Sequence, residues 1–404
     1  MSTTVVDTQS LVKEGVITQK QADKIVDRGR QTMVQLAVNI VLCFGIFAAT
    51  GGLIFWLAKP LPVAAAGLFL GAGGLFALSR NSDNFRFFGN AAALIGAGLL
   101  IGGAGIELVD KYESSAGPIL TFSGAAIAAI CFWRWQTKAL TSRFVLGTIF
   151  LMGLTAHLIG LGFWLQLLAF EGIVKSLFMA YAAVLIAFAG WLLDVRFVTA
   201  LAIIPFAQIL ETGTGYFGAI YAFWSPESTL SIISLALLVA VLWWALHDRA
   251  DRDQRHGRVL SQMAFIVANL CALVGSLWGD WVGETIWGPK REYDGQSYDE
   301  WRDAQDAFRE SALHISADVY SVLWAVVLVL LIFFASKRGL RGLFNASVTF
   351  AAIHAYTQLF ESFADEPLAY VIGGIAAILL AWFIWRLNQN WFIETKITDK
   401  TKGK

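Results

Sequence analysis

Apolar runs of about 20 residues, the length a helix needs to cross a bilayer core, recur almost without pause from Met33 to Leu387. Short polar turns separate them. Residues 341–386 show the unit most plainly: two apolar runs, an acidic turn at residues 361–367, and basic residues closing both outer ends. That pattern predicts a transmembrane helical hairpin. Along the whole chain it predicts an all-α, polytopic membrane protein of about twelve spans built from repeated hairpins. They cover 34–57, 61–79, 87–109, 116–135, 144–170, 176–193, 197–223, 228–246, 259–281, 313–335, 343–363 and 368–387. The remaining segments are a helical prefix over 1–32, one long loop over 283–312 and a tail over 388–404.

Charge supports the alternation. Basic turns follow every second run: Arg80 and Arg86; Arg134, Lys138 and Arg143; Arg196; Arg249 to Arg258; Lys337 to Arg341. Acids lie at the opposite ends: Glu107 and Asp110, Glu171, Glu211, Asp280 and Glu284, Glu361. Lys and Arg in short loops mark the cytoplasmic side, so both termini are expected in the cytoplasm and the long loop outside. The chain is 57% hydrophobic and only 15% charged, with zero net charge. With no basic patch, nucleic acid is not an expected partner. Cys43, Cys131 and Cys271 all fall inside apolar runs and suggest neither disulfides nor a metal site.

Three smaller elements stand out. In the prefix Ser10 to Arg30, Thr18 and Gln21 read as a capping box opening a helix. In the loop, Ser297 is placed to cap an amphipathic helix over Tyr298 to Leu313, with Trp301, Ala304, Phe308 and Ala312 on one face. Each is a solvated or packed helix, or a site for partner proteins. Gly67-x-x-x-Gly71 and Gly98-x-x-x-Gly102 permit close helix packing. Tryptophans near span ends, Trp191 among them, read as interfacial belts.

Intramembrane polar residues supply the candidate chemistry. In the eleventh span Ser347, His354, Gln358 and Glu361 share one helical face, and Asn345, Thr349 and Tyr356 the other. Both faces are expected to meet other helices or a wet cavity. The seventh span carries Gln208 and Glu211, a string that parallels Gln358 and Glu361, with Pro205 before it and Gly213 and Gly215 after it. Such interruptions unwind helices at transporter binding sites. Glu211 is therefore an interfacial charge at a helix end, an ion, proton or solute ligand, or one half of a purely structural buried pair. Glu361 and Glu107 read first as interfacial charges. If the hairpins pack together, all three glutamates line one acidic vestibule. His157 and His354 are mid-depth histidines, hydrogen-bonding groups in the plain reading and proton relays in the sharper one.

Enzyme signatures such as H-E-x-x-H, the P-loop, G-x-S-x-G and C-x-x-C are absent, so neither catalysis nor a cofactor is expected. The opening Leu11-x-x-x-Gly15-x-Ile17-Thr18 with Gln21-Ala22 resembles the bacterial predicted membrane proteins of domain-of-unknown-function family 2157. So does the closing hairpin, with Asn345, Tyr356, Phe360 and an arginine-terminated last helix. The resemblance implies a multi-span bacterial inner-membrane protein and no particular activity. Two functional expectations follow. One is a transporter-like protein for a proton, cation or small solute, using Glu211, Glu361, Gln208, Gln358, His354 and Glu107. The other is a membrane scaffold or envelope sensor that holds partners.

Overall fold

The computed structural model describes residues 15–30, 59–79, 83–137, 143–167, 172–217, 222–290 and 297–363, with isolated positions beyond these. Most of the first and of the twelfth predicted spans lie outside the described residues. The chain forms two compact units, Met1–Phe170 and Glu171–Lys404.

The first unit holds α1 (residues 19–30), α2 (Pro60–Ser79), α3 (Asp83–Lys111), α4 (Glu113–Gln136) and α5 (Arg143–Gln166). The α1 cap forms as its sequence predicts. The Thr18 N–H donates to Gln21 Oε1 at 2.9 Å, and the Gln21 N–H donates to Thr18 Oγ1 at 3.3 Å. The antiparallel pairs α2–α3 and α4–α5 meet backbone to backbone. A Cβ on Gly96 would lie 2.2 Å from the Gly71 nitrogen, and one on Gly124 would lie 2.4 Å from the His157 nitrogen. Helices in lipid gain little from apolar contact alone, so small residues that let backbones close up supply the packing. The predicted Gly67 and Gly71 take part. On α3 the buried partners are Gly96 and Gly103, while Gly98 and Gly102 are half-buried.

The second unit holds α6 (Ile173–Leu193), α7 (Arg196–Leu201), α8 (Ile203–Phe206), the ribbon β1 (Gly215–Phe217) and β2 (Ala222–Trp224), α9 (Ser228–Leu246) and α10 (Asp251–Trp278). Then come β3 (Asp280–Trp281), α11 (Glu284–Trp287), α12 (Tyr298–Ser311), β4 (His314–Ile315), α13 (Ala317–Lys337) and α14 (Arg341–Phe363). Both ribbons are antiparallel. Among the described residues eight helices are long and apolar enough to cross a membrane: α2 to α6, α9, α10 and α13. α14 has the length, at 23 residues, but is not among the eight.

The predicted seventh span, 197–223, is not one helix. α7 stops at Leu201, whose carbonyl would need the N–H that Pro205 lacks. Beyond α8 the chain tightens into i→i−3 turns, with the Gln208 N–H on the Pro205 carbonyl and the Glu211 N–H on the Gln208 carbonyl. Left-handed Glu211 (φ 56°) and Gly213 (φ 65°) then turn it into β1. This broken element is not peripheral, since Ala202 and Ile203 form a buried core with Leu235 of α9 and Leu260, Ala264, Ala268 and Cys271 of α10.

α10 begins at Asp251, eight residues ahead of the predicted 259. Its charged first turns dock on the α6–α7 corner. The Trp191 indole N–H donates to Asp253 at 2.7 Å, and the Arg252 guanidinium donates to the Trp191 and Leu192 carbonyls. Trp191 is thus a tie between helices as well as an end-of-span indole. At the same corner buried His256 sits between Thr199 Oγ1 (2.6 Å) and Asp194 (3.0 Å). That bond to His256, with Arg255 and Arg252 nearby, holds the Asp194 carboxyl below the ordinary carboxylate range.

Candidate functional site

The turns of the second unit divide its charge into a basic end, with Arg196, Arg249 to Arg258 and Lys337 to Arg341, and an acidic end. The acidic end gathers three segments far apart in sequence: the loop after α8, the start of α9, and the stretch from β3 to α11.

Two buried carboxylates cross between the last two. Glu227, 2% exposed, stands at the N-cap of α9 but makes no cap bond to its own helix. It accepts instead from the Gly283 N–H (Oε1, 2.7 Å) and the Thr285 N–H (Oε2, 2.7 Å) at the start of α11. Asp280, 1% exposed and just ahead of α11, accepts from the Thr229 N–H in the first turn of α9 at 2.7 Å. Each acid therefore caps the other's helix. Both satisfy backbone donors that no intrahelical carbonyl reaches, and both place negative charge where the helix dipole favours it. Asp280 Oδ1 is buried without a hydrogen-bond partner. Burial, together with the neighbouring Glu227 charge, pushes the Asp280 carboxyl above the ordinary carboxylate range, partly offset by Thr229.

A hydroxyl cluster lies beside them. Thr214, Ser225 and Ser231 are each buried. Thr214 Oγ1 is 2.9 Å from Ser225 Oγ and 2.7 Å from Ser231 Oγ, and Ser231 donates to the Glu227 carbonyl at 3.1 Å. Gln208 closes the loop by donating to the Thr214 carbonyl. At its mouth Glu211 meets Lys290 at 3.2 Å through Oε2, while its Oε1 is buried without a partner.

α12 is fastened to the same end. Ser297 and Glu300 form a full capping box. Arg309 donates to Glu284 at 2.8 Å, Gln305 donates to Glu284, and the Trp301 N–H donates to the Pro289 carbonyl at 3.2 Å. The docked face is Trp301, Gln305, Phe308 and Arg309, whereas the predicted Ala304 is exposed.

The structure thus joins Gln208 and Glu211 in one segment and leaves the other predicted residues elsewhere. Gln358 donates to Ser276 Oγ at 3.2 Å, tying α14 to α10. His354 is buried against Ser321 of α13. Glu361 is exposed. Glu107 is half-buried in the first unit and pairs with Lys111. On α14 the Ser347, His354 and Gln358 face is packed as expected, while Asn345, Thr349 and Tyr356 are exposed. His157 Nδ1 lies 2.9 Å from the Thr121 carbonyl.

Sequence reasoning missed Glu227, Thr214, Ser225 and Ser231 altogether and placed Asp280 only as an outer-end acid. A signal existed, since Ser225-Pro226-Glu227-Ser228-Thr229 before a long apolar run is a helix-start pattern. Compared with known proteins, the chain matches no family model, no curated protein and no solved structure. Among the described residues no group of three or more His, Cys, Asp or Glu side chains is arranged to hold a metal ion.

Proposed function

We propose that this chain is a transporter-like membrane protein of the bacterial inner membrane that binds a proton or small monovalent cation at the acidic end of its second unit. Glu211 carries the reading. It is a non-glycine residue in the left-handed region, at the end of a broken half-helix, with one carboxylate oxygen on Lys290 and the other buried and unpartnered. Left-handed backbone costs about 1–2 kcal/mol for a residue with a Cβ, and such strain concentrates at ligand sites. The Lys290 ammonium, on a side chain 64% exposed, is a tethered cation that an incoming ion displaces. Gln208 shapes the loop that follows the carboxylate by donating to the Thr214 carbonyl, and the Thr214 hydroxyl in that loop joins those of Ser225 and Ser231.

The test is reaction of the full-length protein in membranes with a hydrophobic carbodiimide, with modified carboxyls mapped by mass spectrometry. Labelling of Glu211 that falls on adding sodium, potassium or lithium, or on raising pH, supports the site. Glu211→Gln and Glu211→Gly, which leave no carboxyl at this position, are expected to lose the labelled site itself and so identify the labelled peptide, with Glu211→Gly also relieving the backbone. Absence of Glu211 labelling, with a control protein in the same membrane labelled, overturns the reading. The competing scaffold reading draws on α12, whose outward Asp299, Arg302, Asp303, Asp306 and Glu310 are exposed. Crosslinking from that face that captures no protein removes it.

A further inference from the structure

The packing of α10, α13 and α14 holds two buried hydrogen-bond acceptors that no described donor reaches. His354 is 7% exposed, about 20 Å of helix beyond Arg341. Its Nε2 lies 3.1 Å from the Ser321 carbonyl. The Ser321 hydroxyl lies 3.3 Å from the same nitrogen and can either donate or accept, whereas the nearer carbonyl only accepts; the carbonyl contact therefore places the proton on Nε2 and the lone pair on Nδ1. That Nδ1 is buried and unpartnered. Asn269 of α10 is 1% exposed. Its amide N donates back to the Phe265 carbonyl at 2.8 Å, which leaves Oδ1 as an acceptor, again buried and unpartnered.

The two residues lie on helices that meet along one contact. α10 and α14 run parallel, and Gln262, Phe265 and Ser276 of α10 each touch α14, at Gly342, Phe350 and Gln358. The steps of three, seven and fourteen residues from Gln262 to Phe265, Asn269 and Ser276 fall on one heptad-like stripe that includes Asn269. Phe265 and Phe350 pack edge to face at 6.3 Å. Four residues farther along each helix lie Asn269 and His354, so they share a level. Two buried acceptors at that level need a donor, since a buried acceptor without one costs about 1–3 kcal/mol.

We infer that His354 and Asn269 form an intramembrane proton-binding site. A proton from a hydronium ion adds to the Nδ1 lone pair and leaves water behind. The new Nδ1–H points toward Asn269 Oδ1, while the Nε2–H stays on the Ser321 carbonyl. Ser321 of α13 contacts the ring, and the titratable side chains nearest in sequence to the site are Tyr320 on α13, Cys271 on α10 and Tyr356 on α14. Among the carboxylates on these helices, Asp318 lies one turn before Ser321 and Glu361 two turns beyond His354, both toward the acidic end. This site uses none of the geometry around Glu211 and stands or falls apart from it.

The experiment is nitrogen NMR of the full-length protein in lipid bilayers, with ring-labelled histidine. The chain has five histidines, and His354→Gln identifies the signal of interest. The expected result at high pH is an Nε2–H tautomer with a bare Nδ1. On acidification Nδ1 gains a proton held in a hydrogen bond. Asn269→Asp places an anion opposite the ring and is expected to raise the ratio of charged to neutral His354 about tenfold at a given pH. Asn269→Leu is expected to lower it. An Nδ1–H tautomer in the wild-type protein overturns the inference without recourse to any variant. So does a His354 signal that does not titrate, or one that Asn269→Asp leaves unmoved. Loss of cation protection at Glu211 has no bearing on these signals.

Discussion

Glu227→Ala removes one half of the crossed cap at the acidic end. Glu227 is 2% exposed and accepts two backbone N–H bonds of 2.7 Å. Hydrogen bonds to a charged acceptor contribute about 1.5–3 kcal/mol each. The Gly283 donor is buried and stays dry in the variant, whereas the Thr285 donor is partly exposed and gains water. Removing the carboxylate also removes its own desolvation cost. The expected net loss is therefore about 2–4 kcal/mol, near the cost of one dry donor plus part of the second bond. Glu227→Gln retains one acceptor oxygen and turns an amide N–H toward the other donor, so it is expected to lose about 1–3 kcal/mol. Equilibrium unfolding in mixed detergent micelles measures the difference. Hydrogen exchange read by mass spectrometry localises it, with faster exchange at residues 283–287 for both variants and unchanged exchange in α13. A Glu227→Ala protein within about 0.5 kcal/mol of wild type, the range of an ordinary surface substitution, with exchange at 283–287 unaltered, would refute the argument. It would mean that desolvation of the carboxylate cancels everything its bonds contribute.

Two further predictions concern packing and pH. Gly96→Ala puts a Cβ 2.2 Å from the Gly71 nitrogen, where backbone must move, and is expected to destabilise the α2–α3 pair by about 1–3 kcal/mol or more; Gly73→Ala, with nothing within 4 Å of the added atom, serves as the control in the same unfolding assay. The Asp280 carboxyl titrates above its unfolded value of about 3.9, so folding favours the protonated form; stability is greatest below that value and falls as pH rises to the folded one, a dependence that Asp280→Asn is expected to flatten when unfolding is followed across pH.

Much of the second unit was legible in the chain because it depends on local rules. The apolar runs of α6, α9 and α13 are long, uninterrupted and bounded by charge, and the structure places their helices within a few residues of the pattern. The caps at Thr18 and Ser297 formed because a capping box closes over three residues and needs no tertiary help. The start of α10 was misjudged because Asp251 to Arg258 are polar, and polarity alone reads as a turn. Those residues stay helical by docking Arg252, Asp253 and His256 on a corner some 60 residues earlier, which no window along the sequence contains.

The strings around Glu211 and Glu361 mark the boundary between the two kinds of information. Gln208-Ile-Leu-Glu-Thr and Gln358-Leu-Phe-Glu-Ser are nearly alike in sequence. The second lies in the continuous helix α14 and ends at an exposed glutamate; the first is a chain of tight turns ending in a left-handed residue. Local chemistry explains why the first string breaks, because Pro205 removes a donor and Gly213 accepts a positive φ. The chain by itself therefore determined the apolar helices of the described residues, the caps at Thr18 and Ser297, and the points where a helix cannot continue. What fills the break was decided by contacts that only the folded unit makes: Thr214 on Ser231, Glu227 on Gly283, Asp280 on Thr229. Burial makes those bonds matter, since in a dry interior an unmet N–H or carboxylate oxygen is costly. Partners 17 to 56 residues apart can meet that need only once the helices have packed.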